Sequence, residues 1–280
     1  MITRIVIGFD GSAHATNALR WAVEEAALHG AVVQVALVTE DLEAFGLGQG
    51  GDDGGDTDPA LGNAKAALNH WVEEAVGPDA GVEQRVIYDY PVHGLIHLAG
   101  DDGLLVVGAR GVGGFQGLLL GSVSERVAEH APGPVVVVGA EAPVHGGRVV
   151  VGVDGSDRSL DALRWAVAEA RVREGGLDVV HAWRLPVMAT SPWTIVPDYS
   201  EMRTGGRELL DRAMAAVDHD GIEVKTTMEL GSATEALLDH AVGAGLVVVG
   251  SRGLGRFSQV LLGSVTRQLV HHAPCPVVII

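Results

Sequence analysis

A chain of 280 residues with 47% apolar side chains and a mean hydropathy of +0.25 is long enough for two ordinary domains with well-buried cores, which excludes a disordered polymer. Its 19 Lys and Arg against 36 Asp and Glu give a formal charge of −17, which repels a phosphate backbone and argues against a nucleic-acid partner. Apolar runs stay four to eight residues long, so none approaches the roughly 20 residues of a membrane span, and the single cysteine, Cys275, excludes a disulfide framework or a cysteine zinc cluster within one chain.

The first element is a strand over 3–8, which begins without the basic region, long apolar stretch and cleavage site of a signal peptide. The cytoplasm is the expected location. Asp10-Gly11-Ser12 follows as turn chemistry, with Ser12 placed as N-cap of a helix that ends near Gly30 and buries Leu19, Ala22, Val23 and Ala26 on one face. Strands are then predicted at 32–38, 82–88, 104–108 and 134–138, separated by helices near 60–76, 92–101 and 122–131. The carboxylate-rich stretch 46–59 lacks the spacing and closing Glu of a calcium loop and is expected to be a solvated loop.

After a Pro/Gly segment at 141–147, read as a linker, the pattern begins again. Ile5-Val6-Ile7-Gly8-Phe9-Asp10-Gly11-Ser12 returns as Val149-Val150-Val151-Gly152-Val153-Asp154-Gly155-Ser156, and Val106-Val107-Gly108-Ala109-Arg110-Gly111 as Val248-Val249-Gly250-Ser251-Arg252-Gly253. Strands are predicted at 148–153, 177–183, 222–230, 246–250 and 276–280, with helices from Ser156 to about Gly175 and near 200–218, 232–243 and 264–273. Trp21 and Trp165 fall on apolar helix faces and are expected in the core. The apolar segment 185–199 is a candidate cover for a site or partner surface. Residues 1–140 and 148–280 thus read as two copies of one α/β domain, Rossmann-like and doubly wound, with a parallel sheet covered on both faces. The copies differ in charge: 1–140 carries −13 and 141–280 carries −4.

In such a sheet ligands bind beyond the carboxyl ends of the strands, where strand order reverses. Strand four of each copy runs there into the spacing G-x2-G-x9-G-S, as Gly108, Gly111, Gly121-Ser122 and as Gly250, Gly253, Gly263-Ser264. Glycine allows backbone amides to approach an anion, and the helix opening at Ser122 or Ser264 offers free N–H groups and a favourable dipole. The hydroxyls of Ser122, Ser124, Ser264 and Thr266 are candidate further donors. Asp10 and Asp154, ending strand one, either contact a nucleotide or a divalent cation at its phosphates, or form an Asx-turn that caps the next helix.

On these residues the chain resembles the universal stress protein family over nearly its full length, twice, in the manner of its tandem members. The resemblance implies an adenine nucleotide ligand, ATP with Mg2+, in each copy. It implies a first site of Gly8, Phe9, Asp10 and Val38 with Gly108, Arg110, Gly111, Gly121, Ser122, Val123 and Ser124. The implied second site uses Gly152, Val153, Asp154, Ala182, Gly250, Arg252, Gly253, Gly263, Ser264, Val265 and Thr266. Asp89-Tyr90-Pro91 departs from the family pattern, which Gly231-Ser232-Ala233 keeps, and this departure is expected to reshape the first site. The resemblance also implies that the final strands help pair domains and that tandem chains form a homodimer.

Neither lysine, Lys65 or Lys225, lies in a P-loop, so the usual apparatus of phosphoryl transfer is missing from the motifs. The expected function is therefore a nucleotide-dependent stress or growth regulator that binds ATP. A slow ATPase or a nucleotidyl or phosphoryl transferase is one alternative. An interaction scaffold for a protein partner, with nucleotide as filler, is the other.

Overall fold

The computed structural model describes residues 2–41, 59–112, 120–139, 147–184, 200–254 and 262–280. The expected linker, except Gly147, the stretch 46–58 and the segment 185–199 lie outside the described residues. The chain divides into two compact units, Met1–His145 and Gly146–Ile280.

In the first unit the order is β1 (Arg4–Gly8), α1 (Ala13–His29), β2 (Val32–Thr39), α2 (Pro59–Val76), β3 (Glu83–Tyr88), α3 (Pro91–Ala99), β4 (Leu104–Gly108), α4 (Ser122–His130) and β5 (Val135–Val138). These strands pair in parallel in the spatial order β3-β2-β1-β4-β5. The second unit repeats it with β6 (Val149–Gly152), α5 (Asp157–Val172), β7 (Leu177–Trp183), α6 (Ser200–Ala215), β8 (Val224–Leu230), α7 (Ala233–Ala241), β9 (Leu246–Val249), α8 (Ser264–His272) and β10 (Val277–Ile279). Its strands run parallel in the order β8-β7-β6-β9-β10. Each chain path steps outward in one direction from its first strand, then returns to the other side with its fourth. A crevice therefore opens beyond the carboxyl ends of β1 and β4, and of β6 and β9.

The local causes are legible. Strands β4 and β5 are wholly buried runs of Val and Leu with one Gly, as a sheet covered on both faces demands. By contrast β3 and β8 expose runs of polar side chains, Glu83, Gln84 and Arg85 in the one and Lys225 and Thr226 in the other. Charge on such strands suits the end of a sheet, where open backbone groups invite unwanted pairing.

Helix α1 starts where Ser12 Oγ accepts the Ala15 N–H and stops at Gly30, whose φ of 65° only glycine adopts cheaply. Its Ala15, Ala18, Leu19, Ala22 and Ala26 recur at helical spacing and are buried. Helix α5 is capped likewise by Ser156 but ends at Val172, before the expected Gly175, because Glu174 already takes a left-handed φ of 50°. Trp21 is in the core, whereas Trp165 is only half-buried. Cys275 is buried, and burial pushes its thiol up to about 12. No described helix is long and apolar enough to cross a membrane.

Candidate functional site

In the second unit the crevice beyond β6 and β9 contains a cavity of about 420 Å3. All eleven residues expected there line it: Gly152, Val153, Asp154, Ala182, Gly250, Arg252, Gly253, Gly263, Ser264, Val265 and Thr266. Val180 of β7 and Ala233 and Leu237 of α7 complete an apolar part of the lining that sequence reasoning missed. A signal was present, since Leu237 stands one helical turn beyond the Ala233 already marked by the Gly231-Ser232-Ala233 loop. A Cβ on Gly152 would approach Leu237 Cδ1 to 2.9 Å, so a small residue at the end of β6 lets α7 reach the crevice.

The two strand-end aspartates do more than cap a turn. Asp154 Oδ1 accepts the Ser156 N–H at 3.0 Å and its hydroxyl at 2.6 Å, while Oδ2 accepts the Leu254 N–H at 2.9 Å. Asp10 repeats this, with Oδ1 accepting from Ser12 N–H and Oδ2 from Val112 N–H, both at 3.0 Å. One carboxylate thus joins the end of strand one to the glycine loop about a hundred positions later. Burial pushes Asp154 up, but the hydrogen bonds from Ser156, Leu254 and Ser159 outweigh it and hold the carboxyl below the ordinary 3.8.

The second glycine of each loop follows from this contact. A Cβ on Gly111 would collide with Asp10 Oδ2, and one on Gly253 with Asp154 Oδ2. At Gly108 a Cβ would come within 2.6 Å of the His14 backbone, so the first glycine permits close approach of β4 to the start of α1. His14 is itself held below its ordinary 6.5 by burial and by the Arg110 charge, against the opposing pull of Asp10.

Each glycine loop closes at its base through a backbone bond, Gly121 N–H to Ala109 O at 2.7 Å and Gly263 N–H to Ser251 O at 2.8 Å. Gly121 and Gly263 are then the N-caps of α4 and α8, with no side chain bonded across either helix start. Two of the four expected hydroxyl donors are committed elsewhere: Ser124 Oγ donates to Gly108 O at 2.6 Å and Thr266 Oγ1 to Gly250 O at 2.9 Å. Being one turn into the helix, they point back to the strand end and brace it. Ser122 and Ser264 stay exposed at the helix start.

In the first unit, Phe9 is buried with its ring 6.3 Å from that of Trp71, which also lies against the Gly11 turn. Gly8 faces Leu95, and Val38 faces Gly94. The Arg110 carbonyl accepts Ser12 Oγ at 3.1 Å, while its buried Nε has no acceptor among the described residues. Val123 sits half-buried at the start of α4. Pro91 occupies the position matching Ala233, and Asp89 is drawn to the Tyr90 N–H at 2.7 Å and to His93 Nδ1 at 2.6 Å. Tyr90 and Ser232 share nearly the same extended backbone as N-caps, so the departure of this loop lies in its side chains and their hydrogen bonds.

Comparison with known proteins assigns both units to one family. The Universal stress protein family matches residues 1–139 and again 147–280. A universal stress protein of Mycolicibacterium smegmatis is 33% identical, over 99% of this chain and 96% of that protein. One from Mycobacterium tuberculosis is 29% identical, over 98% and 94%. The crystal structure of a universal stress protein from Archaeoglobus fulgidus covers 99% of this chain and 97% of its own, with a TM-score of 0.64 and 22% identity, a likeness of fold.

Proposed function

Because the chain belongs to the universal stress protein family, once in each unit, we propose that it binds ATP, with Mg2+ at the phosphates, and acts as a nucleotide-dependent stress regulator in the cytoplasm. The observation that carries this reading is the second unit's cavity. Its 420 Å3 lies within the roughly 300–1,000 Å3 of small-molecule sites. Val153, Val180, Ala182, Ala233 and Leu237 offer apolar surface for a base, and the Gly250–Gly253 loop with the open start of α8 offers backbone N–H groups to phosphate.

Arg252, exposed at this cavity, and Arg110, with a buried and unmet Nε, supply countercharge. Since Asp10 and Asp154 already accept N–H groups from the turn and the loop, their part is to fix the loop's position. Mg2+ then enters with the triphosphate as its counter-ion. Occupancy regulates by favouring whichever state holds the nucleotide better, and only by that difference in affinity. Pairing of two chains belongs to the same proposal and is checked by light scattering with and without ATP.

The test begins with the intact protein, denatured to release nucleotide for identification by chromatography and mass spectrometry. Two adenine nucleotides per chain, as intact ATP, are expected. Arg252→Ala, an exposed change, is expected to weaken ATP binding at the second site at least tenfold without moving the unfolding midpoint. No released nucleotide and no heat of ATP binding would overturn the proposal. Release as ADP, with turnover that Arg252→Ala abolishes, would replace it with a hydrolase.

A further inference from the structure

We infer that Asp89, just before α3, and His93 and His97, on successive turns of that helix, form a binding site for one divalent late transition-metal ion of the Zn2+ class. Residues four apart share a helix face, and here the two imidazole rings lie parallel within 5°, their centroids 6.2 Å apart. Both histidines are exposed, His93 with 72% of its side chain open, so the His97 ring has room to turn toward the ring that Asp89 holds. A metal at about 2.0–2.1 Å from two imidazole nitrogens in a tetrahedral shell needs them roughly 3.4 Å apart, a short swing from this arrangement.

Asp89 sets the chemistry of the first ligand. Its Oδ2 lies 2.6 Å from His93 Nδ1 and its Oδ1 accepts the Tyr90 N–H, so the carboxylate is anchored while it holds the imidazole. With Nδ1–H donating to Asp89, the His93 lone pair is on Nε2, directed away from the carboxylate. This carboxylate–histidine pairing is the usual support of a metal ligand, orienting the ring and raising its basicity. The hydrogen bond to His93 also keeps the Asp89 carboxyl below its ordinary range. The dipole at a helix start disfavours a cation, and the adjacent Asp89 charge opposes that effect.

Imidazole nitrogen selects Zn2+, Ni2+ or Cu2+ over Mg2+ and Ca2+. The matched positions of the second unit are Gly231, Glu235 and Asp239, without an imidazole, so the arrangement is not repeated there. The inference does not rest on the nucleotide reading, although Asp89 begins the loop expected to reshape the first site.

The experiment is a calorimetric titration of the untagged full-length protein with ZnCl2, repeated for His93→Ala, His97→Ala and Asp89→Asn. Each histidine variant is expected to lose one equivalent of Zn2+, or at least tenfold in its affinity, with an unchanged metal-free unfolding midpoint. Asp89→Asn is expected to keep that equivalent with about 10- to 100-fold weaker affinity, the usual effect of losing such a supporting group. Electron paramagnetic resonance of bound Cu2+ is expected to show two imidazole nitrogens in the parent and one in His97→Ala. Zn2+ binding that is undetectable in the parent, or unchanged from the parent in either histidine variant, would overturn the site. An unaltered affinity in Asp89→Asn would remove Asp89 from it.

Discussion

Asp154 accepts three hydrogen bonds from a turn and a glycine loop, and its stability contribution carries a definite sign. With its folded-state carboxyl held below 3.8, the folded protein binds that proton less tightly than the unfolded chain. The contribution is present above the ordinary value and is lost as pH falls through the lowered one. Asp154→Asn should therefore show a flatter loss of stability on acidification than the parent, measured by urea unfolding between about pH 6 and pH 3. A parallel pair of curves would mean that other carboxylates dominate the acid limb. The facing residue gives a steric test: Gly253→Ala places a methyl group against Asp154 Oδ2 and should cost about 1–3 kcal/mol, the usual range for overpacking.

At the scale of elements, two serines start matched helices and each does a second job. Ser12 Oγ accepts from Ala15 N–H and donates to Arg110 O, while Ser156 Oγ accepts from Ser159 N–H and donates to Asp154. Ser12→Ala and Ser156→Ala are each expected to lower stability by about 1 kcal/mol, within a usual range of about 0.5–2, as a shift of the denaturant midpoint. Replacement by Gly should cost only a few tenths of that unit if capping dominates. A large loss with Gly as well would place the energy in the hydroxyl bonds to the glycine loop and the aspartate.

The same elements show where sequence reading stops. Strands β1, β4, β6 and β9 are legible because a strand buried on both faces must be apolar at nearly every position. The end of α5 was not, because Glu174 takes a left-handed conformation that composition does not announce. Ser124 and Thr266 illustrate the same limit within a motif. Their place in the loop was evident, but each hydroxyl turns to the carbonyl that ends the neighbouring strand.

For the whole molecule the dominant long-range term is the charge of −17, which opposes compaction through self-repulsion. Salt screens repulsion over a Debye length of about 10 Å at 0.1 M, so raising NaCl from about 10 to 200 mM should raise the thermal midpoint. A fall would mean that short pairs such as Arg4–Asp102 and Arg164–Asp161 outweigh the net repulsion.

By itself the sequence determined the duplication, the order of strands and helices in each unit, the position of the glycine loops and the starts of the first helices. Those features depend on periodicity and on the sterics of neighbouring residues, which are written locally. Tertiary structure alone decided which lone pair meets which donor: that Asp10 and Asp154 tie down loops 102 and 100 positions away, and that Val180 and Leu237 face the same cavity as Gly263. Parallel crossovers bring such residues together across a hundred positions, and spacing along a chain does not specify how side chains are oriented once they arrive. Asp89 and His93 lie between these cases, close in sequence, yet recognisable as a pair only once the start of α3 has placed the carboxylate and the ring 2.6 Å apart.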